Sequence, residues 1–266
     1  MPPIDQSKPT IYTDWKIDSP NLSDRTRFQH TYGQFAQYVK DGDALPLVDR
    51  EKAKCTATFK TLVDTMSARF LSKSNVKASR ATEDDILIFT NNDEAPQFFN
   101  AIRKEFSTPP HLARRIADDV LISEAGSTMW PKIFSVMMRA SAHRFHQHDE
   151  AWLGQVSGSR LWFLIPPSVP RSELGSRPPA CDYLSGLQSL PEVQGVMACI
   201  QKAGEAMYLP PKWWHGTCGL EEWNVGVGEQ RGAPALSEPI VGEMSEEEER
   251  EKVERCDSMT RGSNKA

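Results

Sequence analysis

The sequence predicts a mainly β domain with flanking helices, in which short strands fold as a barrel or a sandwich. The second half of the chain contains several short runs of branched and aromatic residues, most of them bounded by glycine or proline. Apolar residues at helical spacing occur mostly in the first half. A chain of 266 residues, 39% of them hydrophobic, is long enough to bury a sizeable core.

The N-terminal half is predicted to be extended at first and helical afterwards. Residues 1–30 are polar and contain prolines, which indicates an extended arm. Apolar residues then recur every three or four positions in 32–39 and in 59–70, which predicts two amphipathic helices on a core. The apolar run at 84–90 predicts a buried strand, and residues 96–106 predict a further helix.

The strands of the expected barrel follow in the second half, within a main domain that spans residues 31–231. They are predicted at 133–138, 152–156, 161–165, 205–209 and 223–227. Residues 166–202 contain six prolines and predict a long insertion across the mouth of the barrel. Residues 232–266 predict an acidic, partly helical C-terminal tail that begins its helix near Ser245.

The composition excludes several classes of protein. A net charge of −5 offers no basic face for nucleic acid, and no apolar run approaches the length of a membrane span. The five cysteines are scattered and form no CxxC pair, which argues against a zinc ribbon and against a disulfide-dense scaffold. No signal peptide is visible at the N-terminus. These features predict a soluble intracellular protein of a reducing compartment, in the cytoplasm or the nucleus.

Four of the six histidines gather in two short segments, which predicts one metal site assembled from both. His146 and His148 are two residues apart, so on a strand both point to one face, and Glu150 is the next residue on that face. His215 follows a Pro-Pro turn and begins a returning strand. His143 is expected on the opposite face of its strand, where it plays no part in the site. Two histidines with one carboxylate are typical of non-haem Fe(II) oxygenases.

Two blocks of sequence resemble the jumonji-C (JmjC) family of cupin-fold Fe(II)- and 2-oxoglutarate-dependent oxygenases. Residues 145–167 contain Phe-His-Gln-His, then Gly-Ser-Arg-Leu-Trp and Pro-Pro, where the family commonly reads His-x-Asp, Gly-x-Lys-Arg-Trp and Pro-Pro. Residues 203–215 contain Gly-Glu, Tyr-Leu-Pro and Trp-Trp-His, as the family does. The resemblance implies a double-stranded β-helix, the cupin or jelly-roll barrel, with Fe(II) and 2-oxoglutarate as cofactors.

The resemblance also implies roles for single residues. His146 and His215 match the two metal-binding histidines, but His148 stands where the family has an acid. Three interpretations remain open: His148 itself binds the metal, Glu150 supplies the carboxylate, or the site is degenerate. Arg160 matches the lysine that pairs with 2-oxoglutarate, and Leu161 departs from the family's arginine.

Further expectations concern the cavity wall and the reaction. Trp223 and Asn224 are candidates for the wall around the co-substrate, and Cys218 is expected to be a small buried residue. No catalytic residue is predicted beyond the metal ligands. The resemblance implies hydroxylation of a side chain in a protein or peptide substrate. The alternatives are a catalytically degenerate binding or scaffold protein and a three-histidine cupin that binds another divalent metal. The tail is a candidate for homodimer contacts.

Overall fold

A computed structural model describes residues 7–13, 15–38, 56–73, 87–91, 95–110, 112–113, 130–170, 181 and 197–231. These residues form twelve strands and four helices. The predicted acidic tail and most of the predicted insertion at 166–202 lie outside the described residues.

The N-terminal half contains all four helices of the described chain. In chain order its elements are β1 (Thr10–Tyr12), α1 (Pro20–Ser23), α2 (Arg25–Tyr32), β2 (Ala36–Tyr38), β3 (Thr56–Thr58), α3 (Phe59–Lys73), β4 (Leu87–Asn91) and α4 (Pro96–Ile102). The predicted helices at 59–70 and 96–106 and the strand at 84–90 are therefore present, with slightly different ends.

The second half of the described chain is made of strands, as its short branched and aromatic runs predicted. They are β5 (Lys132–Met137), β6 (Ala142–His146), β7 (Ala151–Ser157), β8 (Ser159–Ile165), β9 (Met197–Lys202), β10 (Ala206–Leu209), β11 (Trp214–Gly219) and β12 (Asn224–Gln230). β9 lies inside the segment that the prolines predicted to be an insertion, and it pairs with β8 from Ser159 to Leu164.

Two antiparallel sheets face each other and form the barrel. The larger has the strand order β1-β10-β7-β12-β5-β4, and the smaller has the order β6-β11-β8-β9. A separate pair, β2 with β3, lies beside them. The mainly β class is confirmed, and two antiparallel sheets with few helices agree with a cupin jelly-roll.

Alternation along each strand separates an interior from two outer faces. The interior core contains side chains from both sheets, such as Leu153 and Met207 from the larger and Trp162 and Leu164 from the smaller. The outer face of the larger sheet packs against the helices in an aromatic core. In that core the ring of Phe28 stacks on Phe134 at 5.6 Å between centroids.

The first thirty residues differ from the predicted extended arm wherever they are described. β1 pairs with β10 at the edge of the larger sheet. Trp15 is buried, and its indole packs edge-on against Trp152 with ring centroids 5.9 Å apart. Asp24 caps α2 by accepting a hydrogen bond from the backbone N–H of Arg27 at 2.8 Å. The prediction of an extended arm was wrong, because a polar composition does not reveal the few residues through which this segment packs on the barrel.

The helix predicted from the spacing in 32–39 is also absent. α2 ends at Tyr32, and residues 36–38 pair instead with 56–58 as strands. The backbone N–H of Phe59 donates to the carbonyl of Phe35 at 2.8 Å, so the same aromatic residue helps to start the next helix. Pairing with a distant segment here overrides a short helical pattern.

Cys181 and Cys218 form a disulfide that ties β11 to the segment after β8. Their Cα atoms are 5.1 Å apart, and both residues lie in the apolar cluster on the outer face of the smaller sheet. Cys218 was expected to be a small buried residue, and it is buried but covalently paired. Disulfides persist in oxidising compartments, so this bond disagrees with the reducing compartment expected from the scattered cysteines. Within the described residues, no helix has the length and apolar character needed to cross a membrane.

The contact between Trp15 and β7 makes a specific stability prediction. A methyl group at Gly154 would lie 2.2 Å from the indole of Trp15, which is too close for a buried ring to accommodate by a small shift. We therefore expect Gly154→Ala to lower the free energy of unfolding by about 1–3 kcal/mol in urea denaturation. In a Trp15→Ala background the same change should cost nothing, because the ring that it meets is gone. Equal costs in both backgrounds would contradict the packing described here.

Candidate metal centre

The metal centre is built on the pairing of β6 with β11. His146, the last residue of β6, lies directly opposite His215 on β11. Between this pair and the next one, His143 with Thr217, β6 contains one residue more than β11. This is a β-bulge, which bends a strand and changes the direction of its side chains. The bulge brings the imidazoles of both strands toward the interior.

Three histidines converge on one point at the mouth of the barrel. The ring centroids of His146 and His215 are 4.2 Å apart, those of His148 and His215 are 4.6 Å apart, and those of His146 and His148 are 5.5 Å apart. One ring nitrogen from each residue lies within 4.8 Å of those of the other two. Imidazole nitrogens in this arrangement are suited to a divalent first-row metal such as zinc, iron or copper.

Backbone contacts orient two of the rings. The turn that carries His148 is held to the Pro-Pro turn before β11, because the carbonyl of His148 accepts from the N–H of Lys212 at 2.8 Å. Nδ1 of His148 lies 2.5 Å from the carbonyl of Asp149, and Nδ1 of His215 lies 2.9 Å from the carbonyl of Trp213. A ring that donates Nδ1–H to a carbonyl keeps the lone pair on Nε2 for a metal.

The electrostatic environment keeps these rings neutral. Burial lowers the pKa of His148 to about 4. Burial and the neighbouring His146 and His148 lower the pKa of His215 well below its ordinary value. Neutral imidazole is the form that binds metal, so at neutral pH these two side chains are in the ligand state.

Glu150 was the other candidate for the third ligand, and its carboxylate is held elsewhere. It is buried and accepts a hydrogen bond from the hydroxyl of Tyr208 at 2.5 Å, and Arg231 lies 3.8 Å away. The ring of Tyr208 belongs to the aromatic core on the outer face of the larger sheet. β6 ends at His146, so the two-residue alternation that put Glu150 on the same face as His148 does not continue. The structure brings His148, and not Glu150, to the other two histidines.

His143 lies closer to the site than its position in the sequence predicted. Its ring centroid is 4.3 Å from that of His146, and it lines the same cavity. The expectation that it faces away assumed an unbroken strand, and the bulge in β6 removes that assumption. His143 is therefore a neighbour of the three histidines, outside the group whose nitrogens converge.

Arg160 lies in the same cavity with a buried charge. It is 3% exposed, and its guanidinium donates to the hydroxyl of Ser135 at 2.7 Å. Its Nε has no hydrogen-bond partner, and no acid pairs with it among the described residues. Burial lowers the pKa of Arg160 to about 9, so the group remains a cation at neutral pH. A buried cation without an anion is costly, and a carboxylate ligand would complete it.

Trp223 and Asn224 do not line the cavity of the described structure, although both were candidates for its wall. The indole of Trp223 donates to the carbonyl of Leu22 and packs on the helical side of the larger sheet. The amide of Asn224 donates to the carbonyls of Met137 and Glu221 and accepts from the N–H of Ser159. The hydrogen bonds of both residues fix the backbone at the start of β12. The prediction that they form the wall of the cavity is thereby corrected.

The cavity also contains polar residues that the sequence reasoning did not identify. Ser135, Thr217 and Gln230 line it together with the histidines and Arg160, and its empty space is about 450 Å³, part of it open to solvent. Ser135 and Gln230 occupy inward positions on β5 and β12, between residues that face outward. With the bounds of β5 and β12 known, strand alternation alone would have placed both polar residues on the interior face and marked them as candidates for the cavity wall.

The geometry predicts which residue is the third ligand. We expect the full chain to bind Fe(II) or Co(II) under anaerobic conditions, with a 1:1 stoichiometry measured by elemental analysis and titration. Replacing His146, His148 or His215 by alanine should weaken binding by more than about 100-fold, beyond the effect of losing an outer contact. Glu150→Gln keeps the acceptor for Tyr208 and should leave the affinity unchanged. A loss of metal in Glu150→Gln with retention in His148→Ala would contradict this assignment.

Parts of the chain are similar in sequence to known proteins. No family profile matches the chain. Among curated proteins, JmjC domain-containing protein 8 is 30% identical in Rattus norvegicus and 27% identical in Homo sapiens, in each case over 88 residues. Those matches cover 33% of this chain and 33% of each relative, so the chain spans about a third of the length of the curated relatives it matches.

A further relative comes from a plant. The arginine-specific demethylase JMJ22 of Arabidopsis thaliana is 27% identical over 129 residues, which is 44% of this chain and 26% of the relative. Members of this family use Fe(II) and 2-oxoglutarate on a cupin barrel. The similarity to these relatives, together with the two-sheet barrel and its three converging histidines, supports a JmjC family assignment.

Proposed function

We propose that this protein is an Fe(II)- and 2-oxoglutarate-dependent oxygenase that hydroxylates a side chain of a protein or peptide. The observation that carries the proposal is the pairing of two features in one cavity. Three imidazoles converge at its mouth, and the buried guanidinium of Arg160 lies in its wall without an acid among the described residues. Together they offer a place for a metal and for an acidic co-substrate.

The donor groups fit these two cofactors. His146, His148 and His215 would hold the metal, and three protein ligands leave it accessible to a co-substrate. Arg160, supported by the hydroxyl of Ser135, would hold the distal carboxylate of the acid through charge-assisted hydrogen bonds. When bound, metal and 2-oxo acid supply the oxidation of a C–H bond by O₂, coupled to decarboxylation of the acid to succinate.

Hydrogen bonds in the remaining wall fix the shape of the cavity. The ring of Trp162 lies 6.0 Å from that of His215, and its indole N–H donates to Gln201 at 2.8 Å. Gln201 in turn donates to the carbonyls of Leu153 and Glu205. These bonds restrict the Trp162 side chain to one orientation, so a ligand meets a preformed wall beside the metal position.

The protein substrate is inferred from the relatives. The plant relative is named as an arginine-specific demethylase, which acts on arginine. Hydroxylation and demethylation by such a centre share the same C–H oxidation. Modification of a side chain in a protein or peptide is therefore the reaction class that we assign.

A second candidate is a three-histidine metal-binding protein without oxygenase activity. The observation in its favour is the absence of a carboxylate from the converged group in the described chain. A metal on three neutral ligands carries one more positive charge than in the two-histidine, one-carboxylate site. A wild-type protein that neither binds a metal nor forms succinate would instead favour the third alternative, a scaffold protein with the JmjC fold.

The Arg160 guanidinium provides the test of the proposed function. Anaerobically purified full-length protein with Fe(II) should bind 2-oxoglutarate and, after O₂ is added, release succinate. Arg160→Met should weaken 2-oxoglutarate binding by at least about 10-fold, because the charge-assisted bonds are lost. It should not lower the free energy of unfolding, because it removes a buried charge that lacks an acid. His215→Ala should abolish succinate formation.

The other outcomes separate the alternatives. Metal binding with no succinate, and with unchanged thermal stability after 2-oxoglutarate is added, would reject the oxygenase in favour of the three-histidine binding protein. A destabilised Arg160→Met protein with normal 2-oxoglutarate affinity would show that Arg160 is structural.

A further inference from the structure

The cavity holds a second buried N–H donor that the proposed function does not use. Within the described residues, Nε2 of Gln230 has no acceptor, as is true of Nε of Arg160. The side chains are 6% and 3% exposed respectively, and both line the cavity that contains the three histidines. Buried polar groups in native proteins nearly always have a partner, so a donor left open inside a cavity points to a ligand acceptor.

The strand register places the two donors at different ends of the cavity. Gln230 is the last residue of β12 and lies opposite Ala151, directly after the turn that carries His148. Arg160 lies opposite Gly219 on β11, further along the barrel than His215, which lies opposite Leu164. Gln230 therefore belongs to the histidine end, and Arg160 to the inner end.

The position of Gln230 is fixed by its backbone. Its N–H donates to the carbonyl of Pro131 at 3.0 Å, and its strand is paired on both sides, with β5 and with β7. The strand pairing therefore holds the Cα–Cβ bond of Gln230 toward the interior of the barrel. Rotation about its last bond exchanges the carbonyl and NH₂ ends, so the amide can present a donor to an anionic group.

We propose that Gln230 is a positioning residue that donates a hydrogen bond to the 2-oxo-carboxylate end of the co-substrate. This inference rests on the proposed function, in which Arg160 holds the opposite carboxylate. One 2-oxo dicarboxylate would then satisfy both open donors at once, which explains why each remains without a partner in the folded chain. A hydrogen bond to the end nearest the metal fixes the orientation of the acid in the cavity.

Two acids distinguish the two ends. Pyruvate has the 2-oxo-carboxylate of 2-oxoglutarate and lacks the distal carboxylate. We expect Gln230→Met in the full-length Fe(II) protein to weaken the binding of both acids by about 10-fold in anaerobic calorimetry, the effect of one lost hydrogen bond to a charged group. Arg160→Met should weaken the binding of 2-oxoglutarate and leave that of pyruvate unchanged.

Gln155→Met is the matched control. Gln155 is as buried as Gln230, but its Nε2 donates to the carbonyl of Ser157 at 2.7 Å, and it does not line the cavity. Its replacement should lower the urea midpoint and leave the affinity for pyruvate unchanged. Gln230→Met should show the opposite behaviour, with an unchanged or higher urea midpoint, unchanged Fe(II) affinity and weaker binding of pyruvate.

Each other result overturns the inference. Wild-type affinity for pyruvate in Gln230→Met would assign the amide to another ligand, such as the protein substrate, and would leave the proposed function intact. Loss of Fe(II) in that variant would make Gln230 part of the metal site instead. Failure of the wild-type Fe(II) protein to bind either acid would reject the proposed function together with this inference.

Discussion

The candidate metal centre depends on the bulged antiparallel pairing of β6 with β11. The pairing puts His146 opposite His215, and the extra residue in β6 turns the strand so that the rings on it face the interior. The bond from Lys212 N–H to the carbonyl of His148 then joins the turn after β6 to the turn before β11. Lys212 adopts a left-handed backbone with φ of 64°, an unusual conformation for a lysine, and the tight turn requires it.

Charge gives the cavity its selectivity. His148 and His215 are neutral ligands, and Arg160 adds a fixed positive charge. The buried acids of the described chain, Glu150 and Glu229, are bound on the outer side of the larger sheet by Tyr208 and by Trp152 respectively. A metal ion would add further positive charge to a space that the described acids do not neutralise. The cavity therefore favours anions over neutral or cationic molecules.

The sequence was sufficient to predict the class of fold and to name all three converging histidines, with Glu150, as candidate ligands. Strand patterns and the Pro-Pro turn can be recognised without knowledge of the tertiary structure. They are sufficient to identify His146 and His215 as candidate metal ligands. The sequence could not decide between His148 and Glu150 as the third candidate ligand, because alternation placed both on one face. That choice depends on where β6 ends, and the end is set by pairing with β11.

Other misassignments have the same origin in long-range contacts. His143 was expected to face away because a bulge has no signature in a single sequence. Trp15 and Asp24 are single anchoring residues in a polar segment, and their importance appears only when Trp152 and α2 are placed beside them. Trp223 and Asn224 lie beside the histidine strand in sequence, yet their hydrogen bonds fix the corner of β12 instead.

The pairing of β1 with β10 has a consequence for how this chain folds during synthesis. Thr10 is the partner of Tyr208. β1 therefore cannot pair until β10, near the end of the described chain, has been synthesised. The indole of Trp223 likewise finds its acceptor, the carbonyl of Leu22, only after nearly all of these residues have been made. Contacts between such distant segments are slow to form, because a long loop must close before they contribute stability. The larger sheet is thus completed late, when almost the whole barrel has left the ribosome.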